Sequence, residues 1–426
     1  MSKLSRRDFV RILGASSALG LLGASGMARS AGTKARVVVI GGGYGGTIAA
    51  KYIAMSDPGI RVTLIEKDSQ FVSCPLSNEV LSGDRTIGSL TFGYHGLTGH
   101  GVNVMQDEII DIDAANKYAR GKSGNRYNYD MLVVSPGVDF KWGAIKGYDE
   151  AASQHMPHAW KAGEQTLLLR RQLEAMRDGG TFFIVAPPNP FRCPPGPYER
   201  AAQAAHYFKH HKPKSKVVIL DPKDKFSKQG LFTAGWKANY GDMIEWVSGA
   251  AGGIVEEVRP GSMKIIGQVD EHTGDVVNVI PPQRAGAIAQ KAGLTNDSGW
   301  CPVDQRSFES SIHKDIYVIG DSCIAGAMPK SGYAANSQGK VVAANVVAKV
   351  NGRSASEPSY VNTCYSVIAP DYGISVAAVY QLGENGIVGV KGAGGLSPGQ
   401  ASARTRADEV MYAYGWYQNI TSDMFS

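Results

Sequence analysis

"ARVVVIGGGYGG" (residues 35–46) decides how the first part of this chain folds. Its β-branched run reads as a buried strand. The strand runs into Gly41-x-Gly43-x-x-Gly46, and a second strand, RVTLIE (61–66), ends on Glu66, 20 residues after the last glycine. Each piece has a mechanical task. Gly41 permits a tight turn, Gly43 lets the backbone approach a pyrophosphate, and Gly46 lets helix pack on strand. The helix N-terminus offers unpaired N–H groups, and Glu66 can accept from ribose hydroxyls. A dinucleotide site is expected here, with Lys67 beside Glu66 as a further candidate contact.

Two later segments point to FAD as the dinucleotide. MLVVSPG (131–137) reads as a strand ending in a turn at Pro136. SSIHKDIYVIGDSC (310–323) reads as a strand followed by Gly320 and Asp321, where an acid can meet a ribityl chain. MPKSGYAANSQGKVVAANVVAKV (328–350), which contains Lys330, reads as a helix. Its positive end can face the flavin edge where negative charge develops on reduction.

A second strand–helix–strand pattern follows: TFFIVA (181–186), YERAAQAAHYFKHH (198–211) and KVVILD (216–221). The loop between the first two is PPNPFRCPPGP (187–197). Proline removes backbone donors and its ring blocks close approach by a phosphate. This half therefore reads as a dinucleotide-type unit without a phosphate cradle, and no NAD(P) is expected.

The chain has 426 residues, which suggests two or three domains. With 43% hydrophobic and 19% charged residues, the composition is that of a globular protein and excludes a disordered one. SRRDFVRIL (5–13), the apolar stretch 12–26 and a cut between Ser30 and Ala31 read as a twin-arginine leader. That stretch carries +4 of the formal net charge of +6, so the basic balance belongs mostly to targeting. No dense basic face with interleaved aromatics suggests nucleic acid. No later segment is long and apolar enough to span a bilayer. Five cysteines remain, an odd number, and no C-x-x-C pair suggests zinc or haem. His155 and His158 in QHMPHAW lack a third ligand, so no metal site is expected.

The stretches FVSCPLSNEV (71–80), PHAWKAGEQT (157–166), PFRCPPGPYERA (190–201), IPPQRAG (280–286), AGLTNDSGWCPVD (292–304), MPKSGYAANSQGK (328–340) and NTCYSVIAPDYGISVAAVY (362–380) together carry a resemblance. The chain resembles the flavoprotein subunit of flavocytochrome c sulfide dehydrogenase. The resemblance implies an α/β, disulfide-reductase-like fold with two Rossmann-type domains and a C-terminal α+β interface domain. The expected division is a leader over 1–30, an FAD-binding domain over 31–146 and 286–354, a degenerate NAD(P)-type domain over 147–285, and an interface domain over 355–426. The resemblance implies FAD held by a thioether from Cys74 to the flavin 8α-methyl, a redox disulfide of Cys193 and Cys364, and an acid at Glu199. It implies a c-type cytochrome subunit as electron acceptor, with haem only on that partner, and a periplasmic heterodimer.

On that reading HS⁻ attacks the disulfide by thiol–disulfide exchange, leaving a persulfide and a thiolate that donates to the flavin. Cys193 is placed as sulfide acceptor and Cys364 nearer the flavin. As a purely structural staple, such a disulfide would contribute about 5 kcal/mol. Cys301 and Cys323 read as buried thiols. Trp160 reads as packing in the core or near the flavin. GISVAAVYQLG (373–383) and NGIVGV (385–390) suggest strands around a turn, 391–402 a link, and ADEVMYAYGWYQNI (407–420) a helix. The alternatives are a quinone-reducing enzyme and a non-catalytic flavin partner of a sulfur-oxidising complex.

Overall fold

The run ARVVVI forms strand β1 (Ala35–Ile40). The glycine turn leads into α1 (Gly46–Ser56), which returns the chain to β2 (Ile60–Glu66). β3 (Val102–Gln106) pairs outside β2, and β4 (Met131–Val134) pairs with β1 on its other side, all in parallel. A parallel sheet is covered on both faces, which explains why its strands are continuous apolar runs. Val37, Val39, Leu64 and Val133 are fully buried, and each contributes roughly 1.5–3 kcal/mol of burial. The computed structural model describes residues 32–355 and 357–426, of which 34–426 form one body. The leader expected over 1–30 lies outside the described residues.

The second parallel sheet runs β7–β6–β5–β8. It is built from β5 (Thr181–Val185), α2 (Gly196–His211), β6 (Lys216–Leu220), α3 (Gln229–Tyr240), β7 (Ile244–Val247) and β8 (Val276–Val279). α2 begins at Gly196, two residues before the helix expected from Tyr198. Pro197 is tolerated there because the N–H it lacks would be unpaired in a first turn.

The chain then returns to the first sheet. β9 (Ile316–Val318) pairs in parallel with β4 and completes the order β9–β4–β1–β2–β3. α4 (Gly332–Val350) follows, starting four residues later than expected because the Ser331 hydroxyl caps it, accepting from the Ala334 N–H at 3.1 Å.

The C-terminal region is an antiparallel sheet of β10 (Ser359–Ala369), β11 (Tyr372–Gly383) and β12 (Gly386–Leu396), covered by α5 (Ala403–Phe425). Two expectations change. Residues 391–396 are not a link but the second half of β12. A Cβ at Gly394 (φ +146°) would lie 2.2 Å from the Ala377 carbonyl oxygen, so glycine there permits close passage of two strands. α5 is also longer than 407–420, because Ser402 caps it by accepting from the Thr405 N–H at 3.1 Å. α5 is anchored on the first half: Lys51 donates to the carbonyls of Asp423 and Ser426 at 2.9 and 2.7 Å, and Phe425 stacks on Phe92 at 5.1 Å. No helix among the described residues is long and apolar enough to cross a membrane.

Candidate functional site

The turn after β1 has the shape of a phosphate cradle. Gly41 adopts φ +99°, and a Cβ there would lie 2.3 Å from the Ser135 carbonyl oxygen. A Cβ on Gly46 would lie 1.9 Å from the Gly41 oxygen. Gly43 differs: a Cβ would meet nothing nearer than the Phe71 ring at 3.7 Å, so its open side is the one that can face a ligand. The Glu66 carboxylate accepts from the N–H groups of Gly42 at 2.6 Å, Lys67 at 2.8 Å and Asp68 at 3.2 Å. A carboxylate has about four acceptor positions, which leaves capacity for ribose. The Lys67 side chain is exposed, and its backbone N–H donates to Glu66.

Pro136 lies in the turn after β4, against Gly286. Gly320 has φ +75° and donates its N–H to Gln338 at 2.7 Å. Asp321 follows it, with a buried Oδ1 that has no partner. Burial raises its carboxyl above the ordinary range, while Arg192 and Lys330 oppose that rise. Lys330 does not reach outward. It donates to the carbonyls of Asp321 and Cys323 at 2.8 and 2.9 Å, and lies 3.8 Å from the Trp300 ring centre. The indole N–H groups of Trp160 and Trp416 are likewise buried without partners. Buried polar atoms are rarely left unpaired. The open cradle, the acid at the end of β2 and these orphaned atoms fit a flavin dinucleotide.

Beside the N-terminus of α4 lies a cavity of about 100 Å³. Cys74, Cys193, Glu199 and Cys364 all line it, with Ser331, Gly332 and Tyr333 from α4. Four residues from three distant segments are thus brought to one place. Cys74 opens a turn closed by the Ser77 N–H, which donates to the Cys74 carbonyl at 3.0 Å, with Leu76 at φ +64°. Its Sγ faces the Trp160 carbonyl at 3.8 Å. Cys193 is held at φ +57°, its N–H donating to the Lys330 carbonyl at 2.8 Å. Burial pushes its thiol well up, and the neighbouring Glu199 and Cys364 add to the rise. Cys193 and Cys364 are thiols in this structure, as are Cys74, Cys301 and Cys323.

Glu199, in the first turn of α2, accepts from the Val367 N–H at 2.9 Å and from the Asn78 amide at 3.1 Å. Burial pushes its carboxyl up to about 7, against the opposing pull of those bonds and of Lys228. A carboxyl titrating there can exchange a proton near neutral pH. His158 cannot: burial holds it at about 3, and its Nδ1 accepts from the Trp160 N–H at 2.9 Å. Cys301 and Cys323 bridge neighbouring backbones away from the cavity, and burial raises both thiols to about 12. They have the surroundings of inert thiols.

Three cations at or near the cavity were not anticipated. Arg192 donates to the Trp160 carbonyl. Arg200 donates to Asn78 at 3.1 Å and lies 5.0 Å from the Trp160 ring centre, with burial lowering it to about 10. Lys228, at the start of α3, donates to the Cys364 carbonyl at 3.0 Å. Arg192 and Arg200 flank Cys193 and Glu199 in sequence, a signal that was available. Lys228 sits in the lysine-rich KDKFSKQG, which reads as solvated surface. A small chamber lined by thiols, one carboxyl and two arginines suits a small anion that reacts at sulfur.

Residues 166–281 match the family profile described as sulfide dehydrogenase (flavocytochrome c) flavoprotein chain, central. Residues 356–425 match flavocytochrome c sulphide dehydrogenase, flavin-binding, and residues 35–171 match pyridine nucleotide-disulphide oxidoreductase. Over 49 residues the chain is 59% identical to the sulfide dehydrogenase (flavocytochrome c) flavoprotein chain of Chlorobaculum thiosulfatiphilum, covering 12% of this chain and 100% of that sequence. It is 21% identical to mouse mitochondrial sulfide:quinone oxidoreductase over 67% of this chain, spanning 65% of the mouse protein, just under two thirds. Among solved structures, the sulfide:quinone oxidoreductase of Aquifex aeolicus superposes with a TM-score of 0.70 at 17% identity, over 91% of this chain and 92% of that one. The fold is therefore α/β, with two dinucleotide-type sheets, as expected.

Proposed function

We propose a function for this chain on one premise: it belongs to the flavocytochrome c sulfide dehydrogenase flavoprotein family. It is a flavin-binding oxidoreductase that oxidises sulfide to elemental sulfur or polysulfide. The electrons leave one at a time to a c-type cytochrome subunit, which carries the haem. The observation that supports this reading is the convergence of Cys193, Cys364, Glu199 and Cys74 on one cavity at the α4 N-terminus.

The protein's part in the reaction follows from those groups. Cys193 and Cys364 form a disulfide in the resting enzyme, and HS⁻ opens it at Cys193. Glu199, poised near neutrality, takes the proton left on the incoming sulfur. Arg192 and Arg200, which line the cavity, hold the anionic sulfur. The flavin, once bound, supplies a two-electron acceptor that releases its electrons singly. Gly41, Gly43, Gly46, Glu66 and Asp321 would hold it, and Cys74 would attach it through a thioether. Export by the twin-arginine leader to the periplasm belongs to the same reading.

The second half supports a reading without NAD(P)H. Asp221 directly follows β6, close to where Glu66 stands at the end of β2, but it is fully buried. It accepts from the Tyr198 hydroxyl at 2.6 Å and the Trp246 indole at 3.0 Å, and pairs with Lys223 at 2.5 Å. Its capacity is taken up within the protein.

Anaerobic stopped-flow spectroscopy tests the proposal. Sulfide bleaches the flavin, and added cytochrome partner re-oxidises it. Bleaching with re-oxidation only by quinone would overturn the acceptor. No bleaching would overturn the enzyme. Flavin that separates from the chain in acid would overturn the thioether.

A further inference from the structure

Asn362 and Ser366 flank Cys364 on β10, and alternation puts all three side chains on one face of the strand. The Asn362 amide donates from Nδ2 to Cys364 Sγ at 3.4 Å. On the other side, the Lys228 ammonium donates to the Ser366 hydroxyl at 2.8 Å and to the Cys364 carbonyl at 3.0 Å. Lys228 is 5% exposed and sits at φ +60°. A lysine turned inward from a left-handed backbone, with only neutral hydrogen-bond partners, is costly unless its charge is used. The titratable groups that its ammonium faces are Cys364 foremost, then Glu199, Cys193 and Glu409.

The amide orientation is fixed from outside the row. The Ser331 hydroxyl donates to Asn362 Oδ1 at 2.5 Å while capping α4 through the Ala334 N–H. With its oxygen so engaged, Asn362 presents its NH₂ to the sulfur. The sulfur of Cys364 thus has a fixed neutral donor, and a buried cation is bonded to the carbonyl of the same residue.

We infer that Asn362 and Lys228 form a cradle for the thiolate of Cys364, which makes Cys364 the leaving sulfur and directs sulfide to Cys193. The inference rests on the redox-pair reading above. In the step it describes, the sulfur of HS⁻ bonds to Cys193 Sγ and the Cys193–Cys364 bond breaks. The bonding pair stays on Cys364 Sγ as thiolate. The proton stays on the incoming sulfur until Glu199 takes it. One sulfur–sulfur bond replaces another, so no further oxidant is consumed. Exchange runs through the better leaving thiol, and a nearby cation makes a thiol a better leaving group. Both are positioning residues, since they act through Cys364.

The test is alkylation of the reduced holoenzyme by iodoacetamide across pH, with Cys193 and Cys364 followed separately by peptide mass. In Lys228→Met the alkylation midpoint of Cys364 rises, so its rate at pH 7 falls by about tenfold or more, while Cys193, which the ammonium faces less directly, moves by less. Lys228→Arg restores the rate, and Asn362→Leu shifts Cys364 in the same direction by less. An unchanged Cys364 rate in both Lys228→Met and Asn362→Leu overturns the inference, as does a shift confined to Cys193. If Lys228→Met does not retain flavin, Asn362→Leu decides alone. A wild-type flavin that sulfide does not bleach would sink the reaction proposed above, yet the thiol rates would still report the cradle.

Discussion

The loop after β1 and the loop after β5 occupy the same place in two strand–turn–helix units, and they have been put to opposite uses. The first, Gly41 to Gly46, is open where Gly43 faces out, and its acid partner Glu66 leans on backbone N–H groups with acceptor capacity left over. The second, residues 187–197, is closed by prolines. Its counterpart acid, Asp221, is bonded to Tyr198, Trp246 and Lys223, and Phe226 stacks on Tyr198 with ring centres 3.6 Å apart. The nucleotide-binding architecture survives in the second unit, but its polar groups face inward. What the loop presents to the cavity is Cys193, with Glu199 one helical turn on. On the proposed reading, a dinucleotide-type unit serves a donor that needs no nucleotide.

The contrast can be broken at several points. The largest effect belongs to the sulfur of the proline loop. Cys193→Ser, or Cys364→Ser, should slow sulfide-dependent cytochrome reduction by about 10³-fold or more while flavin stays bound; near-normal turnover in either variant ends the redox-pair reading. Next come the two acids. Asp221→Ala should cost about 3 kcal/mol in denaturant unfolding, because it strands Lys223 and two buried donors. Its flavin content should be unchanged. Glu66→Ala should do the reverse, lowering flavin incorporation with little change in unfolding. Equal behaviour of the two variants would erase the distinction between the loops.

A smaller effect concerns protons. Glu199 carries a carboxyl raised to about 7. Below that pH it already holds its proton and cannot accept one, so flavin reduction by sulfide should rise as pH climbs through about 7. Glu199→Gln should run about tenfold slower at pH 8 and lose that limb. The smallest effect separates two glycines of one loop. Gly46→Ala should cost about 1–3 kcal/mol of stability through overpacking, whereas Gly43→Ala should fold within about 0.5 kcal/mol of wild type and show its defect in flavin binding.

Much of this was legible where a residue type has one mechanical use. Glycines at fixed spacing, the acid at the end of β2 and a cysteine in a proline loop each announce themselves locally. Lys228 did not, because its role depends on α3 starting beside β10, a contact between segments 136 residues apart. Asn362 was hidden for the same reason. Its meaning comes from Ser331, which the sequence marks only as a helix start. Asp221 closes the run KVVILD as Glu66 closes RVTLIE; only its buried partners show that it is occupied. β10 itself went unread as a strand, although Tyr360, Val361, Thr363, Tyr365 and Val367 have the composition of one. The second half of β12 was lost to a rule that treats glycine runs as linkers.

The bond from the Cys193 N–H to the Lys330 carbonyl has a consequence in time. It joins the loop after β5 to the segment that precedes α4, so it closes only when both parallel sheets have formed. Closing loops of that length is slow relative to local helix and turn formation. The pocket that tunes the thiols is therefore among the last things the chain builds. A half-folded molecule carries five ordinary cysteines, and their special chemistry begins only with completion of the fold.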